Sequence, residues 1–327
     1  YRNKAQYPIG INKKGEPVIG VFANRTHEVI PIDNCLIQNK KSEEIAKFII
    51  EFIKEKNISI YDEKKGKGLV RHIVTKVGIK TGEIMCVIVI NGHKIPNENE
   101  LVENLKTRYP EIKAIVKNIN MKNTNVILGQ ENINLYGNGY IEDILGEYKF
   151  KISPLSFYQV NPVQAEKLYN LGVSMAEITK NDVVFDLYCG IGTISLFMSK
   201  FAKKVYGIEI VEEAVKMAKE NAQNNNVSNT EFFAGNVEIV LDDLINNKGL
   251  KADVVMFDPP RKGLDKKSID NILNIRPKKI VYISCNPATL IRDLADFENE
   301  YDIKTIIPVD MFPFTSHVEC VATLQLK

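Results

Sequence analysis

From Val183 onward, short apolar runs alternate with segments of helical period. The pattern predicts strands at Val183–Tyr188, Val205–Ile210, Glu231–Ala234, Val254–Phe257 and Ile280–Ile283. Helices are expected between them at Thr193–Phe201, Glu212–Asn225 and Lys267–Asn274, and after the last at Ala288–Phe297. The end of the chain differs. Lys304–Pro308 and Cys320–Gln325 read as two strands separated only by a loop. Repeated strand–helix units make a parallel sheet, and the terminal hairpin adds one antiparallel strand.

The earlier part is patterned differently. Ser42–Lys56 reads as an amphipathic helix with Ile45, Phe48, Ile49, Phe52 and Ile53 on one face. Leu69–Val77 and Ile84–Ile90 read as strands joined through Lys80-Thr81-Gly82, a hairpin signal. A second helix is expected at Glu98–Arg108, with further strands at Ala114–Asn118 and Asn125–Leu128. This is an α+β layer with helices on a mostly antiparallel sheet. There is no internal repeat and no low-complexity linker. The boundary is expected between Gly137 and Lys151, giving a smaller α+β domain over 1–148 and an α/β domain over 149–327.

Composition agrees with two domains: 327 residues, 44% of them hydrophobic, are enough for two cores. No apolar run is long enough to span a membrane, and no signal or transit segment is evident. The chain opens at Tyr1 rather than methionine and reads as a piece of a longer one. Its five cysteines, Cys35, Cys86, Cys189, Cys285 and Cys320, have no paired spacing, which points to a reducing compartment, by default the cytoplasm. Net charge is +2, but residues 1–150 hold 23 Lys/Arg against 18 Asp/Glu, and the remainder 20 against 23. The +5 front half is compatible with a polyanionic partner, although many metabolic enzymes show as much.

Candidate chemistry gathers where the predicted strands end. In Asp186-Leu187-Tyr188-Cys189-Gly190-Ile191-Gly192-Thr193, the glycines Gly190 and Gly192 allow a tight turn and close approach of a ligand to a helix start. A plain strand–helix turn would use them too. Glu209 ends the next strand, where a carboxylate can accept both ribose hydroxyls. A dinucleotide site wants a third glycine, but Ser195 occupies that position, which favours S-adenosylmethionine. Asp258-Pro259-Pro260-Arg261 ends the fourth strand and resembles the motif that methyltransferases place beside the methyl donor. Enzymes acting on exocyclic amines usually have an aromatic residue after the prolines. Arg261 there favours a charged contact to a phosphate or base oxygen. In Ser156-Phe157-Tyr158-Gln159-Val160-Asn161-Pro162, at least one aromatic reads as core, whereas Gln159 and Asn161 could reach a cofactor.

Tyr282-Ile283-Ser284-Cys285-Asn286-Pro287 ends the fifth strand. Open α/β sheets put their chemistry at such ends, and the amides of the following helix are expected to favour a thiolate. Free cysteine is often an inert small hydrophobe, which fits Cys86, Cys189 and Cys320. Cys285, bounded by Ser284, Asn286 and Pro287, reads as reactive. Ser316-His317-Val318-Glu319-Cys320 adds a carboxylate in an apolar setting. His317 could pair with the cysteine or contact substrate; Glu319 is the stronger candidate base. No His/Cys cluster has zinc spacing.

Taken together, Phe157–Pro162, Asp186–Gly192, Asp258–Arg261, Ser284–Pro287 and His317–Glu319 resemble the RNA uracil-C5 methyltransferases that make 5-methyluridine in tRNA and 23S rRNA. The resemblance covers essentially the whole chain. Its opening, Tyr1-Arg2-Asn3-Lys4-Ala5-Gln6, is similar to the ribosomal RNA branch. It implies a class I, Rossmann-like methyltransferase sheet in 149–327, preceded by an α+β domain that contacts RNA. Cys285 would be the nucleophile and Glu319 the base. Gln159, Tyr188, Gly190, Gly192, Thr193, Glu209, Asn236 and Asp258 would surround S-adenosylmethionine, with Arg261 and His317 at the substrate. Family members usually carry an N-terminal β-barrel RNA-binding domain, which these residues do not include. One branch also binds a four-iron cluster through three cysteines upstream and a fourth that aligns with Cys35. One thiol cannot hold a cluster, so an iron-sulfur cluster is expected only together with such an upstream segment. Ribosomal RNA is the expected partner, with no membrane and no obligate protein partner.

The chemistry accounts for the residue types. Uracil C5 is a poor nucleophile, and a thiolate added at C6 makes it an enolate carbon. After methylation a carboxylate can take the C5 proton so that the thiolate leaves. The base must be unstacked to admit this. Cytosine-C5 enzymes of RNA use a second cysteine beside the Pro-Pro motif; its absence favours uracil. The alternatives are a tRNA uridine or other nucleic-acid methyltransferase, and a non-catalytic RNA-binding protein on the same sheet.

Overall fold

Strands β1 (Lys4–Ile11), β2 (Pro17–Phe22) and β3 (Val29–Pro31) open the chain, and no apolar run in the sequence had marked them. The computed structural model describes all residues from 1 to 327. Helix α1 (Lys40–Glu55) follows. Asn39 caps it by accepting from Lys41 N (2.9 Å), and Glu43 and Lys54 complement the dipole at its two ends. Then come β4 (Val70–Val77), β5 (Ile84–Ile90), α2 (Glu98–Arg108), β6 (Ile112–Ile119) and β7 (Glu131–Tyr136). The sheet order is β3-β2-β1-β4-β5-β6-β7, antiparallel except where β5 and β6 pair in parallel across the α2 crossover. Ile45, Ile49 and Ile53 of α1 and Leu101 and Leu105 of α2 bury against Ile73, Ile88 and Ile115 of the sheet.

The strand expected at Asn125–Leu128 is a loop; the paired segment is β7, which starts at Glu131. The Asn120 amide explains this. It donates to Val126 O (2.7 Å) and Ile127 O (3.0 Å), taking the carbonyls that a ladder would have used.

A two-stranded sheet, β8 (Ile141–Leu145) with β9 (Tyr148–Ile152), follows. Packing divides the chain into one unit of Tyr1–Ile144 with Lys151–Leu155 and another of Leu145–Phe150 with Ser156–Lys327.

From Ser156 on, the second unit runs through α3 (Pro162–Ala176), β10 (Val183–Leu187), α4 (Thr193–Ser199), β11 (Lys204–Glu209), α5 (Glu212–Asn224) and β12 (Thr230–Ala234). Helix α6 (Val237–Asp242) continues into a π turn at Asp243–Asn247. Next are β13 (Val254–Phe257), α7 (Lys266–Ile275), β14 (Lys279–Ser284), α8 (Pro287–Phe297), β15 (Tyr301–Val309) and β16 (Glu319–Leu326). The strand order is β12-β11-β10-β13-β14-β16-β15, with β16 antiparallel to both neighbours and the other strands parallel. This is the α/β sheet with one reversed strand that the sequence pattern predicts. Leu241, Ile272 and Leu294 of α6, α7 and α8 pack with Phe185, Phe257, Tyr282 and Leu324 of the sheet.

The reversed strand matters for chemistry. β10, β11, β13 and β14 present their carboxyl ends at one edge of the sheet. Because β16 runs the other way, its first residue, Glu319, comes to that same edge.

Candidate active site

A cavity of about 700 Å3 opens at this edge. Its walls bring together ten of the sequence candidates: Gln159, Tyr188, Gly190, Glu209, Asn236, Asp258, Arg261, Cys285, His317 and Glu319. Each comes from a place the topology dictates. Tyr188 follows β10, Glu209 ends β11, Asp258 follows β13, and Cys285 follows β14.

Tyr188 turns the chain out of β10 with φ at +66°, a left-handed conformation that a side chain with Cβ adopts only at a cost. The turn is held by Cys189 N donating to Ile208 O (3.0 Å) and Gly192 N to Cys189 O (2.9 Å). Gly190, also at positive φ, has open space where a Cβ would stand, so its backbone is accessible from the cavity. Both oxygens of Glu209 are oriented by backbone amides, Gly190 N at 3.1 Å and Val211 N at 2.9 Å. A carboxylate fixed this way still has lone pairs for a ribose diol.

Cys285 and Glu319 meet across two strands. The β14–β16 ladder ends with Ser284 opposite Cys320; Cys285 follows that pair on one strand, Glu319 precedes it on the other, and both line the cavity. The loop carrying Cys285 is pinned: Asn286 N donates to Ser284 Oγ (3.2 Å), and Asn286 Oδ1 caps α8 by accepting from Ala288 N (3.1 Å). Asn286 Nδ2 donates to Arg261 O (3.2 Å), tying this loop to the Asp258–Arg261 turn.

The electrostatics are those of crowded acids. Burial pushes Glu319 up to about 7, with the Arg261 cation opposing. Burial, then Glu319, then Asp186 hold Asp258 well above the carboxylate range, against a hydrogen bond from Gln159. Asp186 rises to about 7, chiefly through burial, while accepting from Ser195 Oγ through Oδ2; its Oδ1 has no partner. Cys285 is half-buried, and burial with the Glu319 and Asp258 charges raises its thiol. Arg261 and a backbone hydrogen bond act the other way, toward the thiolate that the sequence leads one to expect. Of the amides that open α8, that of Ala288 is taken by Asn286, and the acids Glu319 and Asp258 lie near the sulfur.

Three further placements differ from expectation. Gly192 and Thr193 do not line the cavity. Gly192 sits at φ +83°, where a side chain is strained, and a Cβ there would crowd Phe232 at 3.1 Å and Ala218 at 3.2 Å. Thr193 begins α4 and hydrogen-bonds Tyr169. Asn161 caps α3 through Gln164 N (3.3 Å) and donates to Met311 O (3.1 Å), so its polarity serves the loop before β16. Cys35 lies in the first unit, and no group of three or more His, Cys, Asp or Glu is arranged to hold a metal ion. The sequence reading missed Phe157, which is 67% exposed at the cavity wall, together with Phe312 and Lys262. Adjacency to Gln159, His317 and Arg261 was the available signal.

The donor set suits S-adenosylmethionine: a diol acceptor in Glu209, an approachable backbone at Gly190, an aromatic wall in Tyr188 and carboxyls at the far end. No helix is long and apolar enough to cross a membrane.

The family model described as tRNA (Uracil-5-)-methyltransferase matches residues 1–327. A protein from Caldanaerobacter subterraneus subsp. tengcongensis, named as an RNA methyltransferase, is 50% identical over 326 residues, covering 99% of this chain and 72% of that one. One from Staphylococcus aureus with the same description is 46% identical over 327 residues, with 100% and 72% covered. Among solved structures, the Pyrococcus abyssi tRNA (uracil-54, C5)-methyltransferase in complex with S-adenosyl-L-homocysteine superposes with a TM-score of 0.80 at 31% identity, covering 99% of this chain and 75% of that one.

Proposed function

The chain belongs to the tRNA (uracil-5-)-methyltransferase family, and from that premise we propose that it methylates C5 of a uridine in 23S rRNA through a covalent bond between Cys285 and C6. That it is an S-adenosylmethionine-dependent RNA methyltransferase follows from the family and its relatives. The observation that carries the finer reading is that Cys285 and Glu319, which flank the last pair of the β14–β16 ladder, stand in the wall of one cavity.

S-adenosylmethionine, when bound, supplies an electrophilic methyl group on a sulfonium centre. Cys285 Sγ, its proton lost to solvent water, adds to C6 as the thiolate, and the C5=C6 electron pair moves toward O4. Nucleophilic C5 then takes the methyl group, and the S–CH3 bond pair stays with the donor sulfur, which leaves as S-adenosylhomocysteine. Glu319 removes the C5 proton, the C5=C6 bond reforms, and the C6–S bond breaks with its electrons returning to sulfur. A carboxyl with a pKa near 7 is well matched to that transfer, since it is part ionised at neutral pH and holds the proton once taken. Gln159 hydrogen-bonds Asp258 and fixes its orientation beside this exchange. Arg261 offers a cation to a phosphate or base oxygen.

Ribosomal RNA is supported by the opening segment Tyr1–Gln6. A tRNA uridine is the second reading, favoured by likeness to the P. abyssi enzyme. Incubation with labelled S-adenosylmethionine and in vitro transcripts of 23S rRNA and of tRNA, followed by mapping of 5-methyluridine, separates them. The proposal expects label in 23S rRNA; label confined to tRNA contradicts it.

A further inference from the structure

The first unit has two adjoining cavities of its own, of about 380 and 670 Å3. Phe22, His27 and Glu63 stand in the walls of both, which makes them two halves of one groove. Phe22 is its centre: the ring meets His27 edge-on at 5.4 Å and His72 at 5.9 Å. His27 is exposed, with Nε2 3.3 Å from Asn125 Oδ1. His72 is its opposite. It is 3% exposed and lines the smaller cavity, yet neither ring nitrogen has a partner. Buried polar groups are nearly always paired; this imidazole, in a cavity wall, keeps unmet hydrogen-bonding capacity. Burial and the neighbouring Arg71 cation lower its pKa to about 4, leaving a neutral ring with one donor and one acceptor.

The rim is basic. Lys13, Lys14 and Lys64 line the larger cavity and Arg25 the smaller. Arg25 is held at φ +61° in the turn from β2 to β3. Two of the carboxylates present are committed: Glu63 to Arg71 at 3.1 and 3.2 Å, and Asp62 to the amides of Lys64 and Lys65 at 2.9 and 3.1 Å. Glu28 remains on the wall of the larger cavity.

A flat aromatic flanked by imidazoles, a buried donor–acceptor pair and a cationic rim match one chemistry, an unstacked nucleobase with its phosphates. We propose that this groove binds a nucleotide of the RNA other than the target uridine, its base against Phe22 and His27 and its phosphates toward the rim. The proposal rests on the RNA methyltransferase reading only for the identity of the polymer, and none of these residues lines the cavity that holds Cys285.

The four histidines are built-in reporters. His27 and His72 lie in the groove, His317 lies in the other cavity, and His93 lines neither. Imidazole NMR signals are followed while adenosine 5′-monophosphate, then an adenylate hexanucleotide, is added. Saturable shifts of His27 and His72 with His93 unmoved are expected, and Phe22→Ala should remove them. With a 23S rRNA transcript, Phe22→Ala should raise KM about tenfold, the scale of one lost base–aromatic stack, leaving kcat and S-adenosylhomocysteine affinity unchanged. Shifts that are absent or confined to His317 overturn the proposal. So does a Phe22→Ala variant whose His93 and His317 signals match wild type and whose KM is unchanged. Shifts in the groove with no methylation of either RNA class would sustain this site and remove the proposed substrate instead.

Discussion

The two units differ in one class of buried charge, since the second holds, besides paired acids such as Asp182 with Lys278 and Asp293 with Arg292, a group of acids short of cations. In the first, each buried cation is answered. Arg71, with 1% of its side chain exposed, has both oxygens of Glu63 and the carbonyls of Asn120 and Lys122 at 2.8 Å. Lys117 has Glu98 at 2.8 Å, and Lys76 has Ser153 O at 2.7 Å. In the second, Asp186, Asp258 and Glu319 gather near one edge of the sheet, and Arg261 is the cation that opposes the rise of Glu319. Satisfied charges hold a fold in register. Of these acids Asp258 and Glu319 line the cavity, where carboxyls that keep their protons near neutral pH can exchange them.

The largest effect that follows is at the thiol. Cys285→Ala should reduce methylation by roughly 10⁴-fold or more, the scale of losing a covalent nucleophile, with S-adenosylhomocysteine affinity unchanged by calorimetry. Loss of cofactor affinity in parallel would instead assign the residue to the cofactor pocket. Glu319→Gln comes next, at about 10²- to 10⁴-fold in turnover. The Gln variant should accumulate a methylated protein–RNA complex on normal RNA, visible by denaturing gel; free product at the wild-type rate would mean that another group takes the C5 proton.

In the first unit the same kind of change should act on stability. Glu63→Gln leaves Arg71 buried without its countercharge, and urea unfolding should show a loss of roughly 3 kcal/mol. An unchanged midpoint would mean that the carbonyls suffice. The smallest effect is a slope. Asp186 titrates near 7 in the folded chain, above the ordinary 3.8, so its stabilisation is full below about pH 4 and fades as pH rises through 7. That amounts to at most about 1.4 kcal/mol per pH unit within this window. Asp186→Asn should flatten the pH dependence of the melting temperature without abolishing it, since Asp258 and Glu319 act with the same sign. A slope identical to wild type would mean that Asp186 ionises freely in the fold.

Legibility in the sequence followed the same divide. The second unit's strands were readable because buried parallel strands are continuous apolar runs, and residues that end such runs, Tyr188, Glu209, Asp258 and Cys285, fall at one edge by topology alone. The first unit was readable where helices imposed a period, and it failed at β1 to β3 and at β7, whose edges mix polar and apolar residues. Asn125–Leu128 looked like a strand because nothing local reveals that Asn120 takes its carbonyls. The surroundings of Cys285 were only half legible for a related reason: the following helix is visible in sequence, but the acids that raise its thiol, Glu319 and Asp258, come from β16 and from the turn after β13. Asn161 looked like a ligand contact because a cap and a cofactor contact call for the same side chain.

The central claim is the bond from Cys285 to C6. A 23S rRNA transcript with 5-fluorouridine in place of uridine blocks the final proton removal. Incubated with the protein and S-adenosylmethionine, it should yield a stable adduct. Mass spectrometry of the digest should show a methylated fluorouridine nucleotide on the peptide containing Cys285, and none with Cys285→Ala. Absence of any adduct, on a transcript whose uridine form is methylated at the normal rate, would contradict the account.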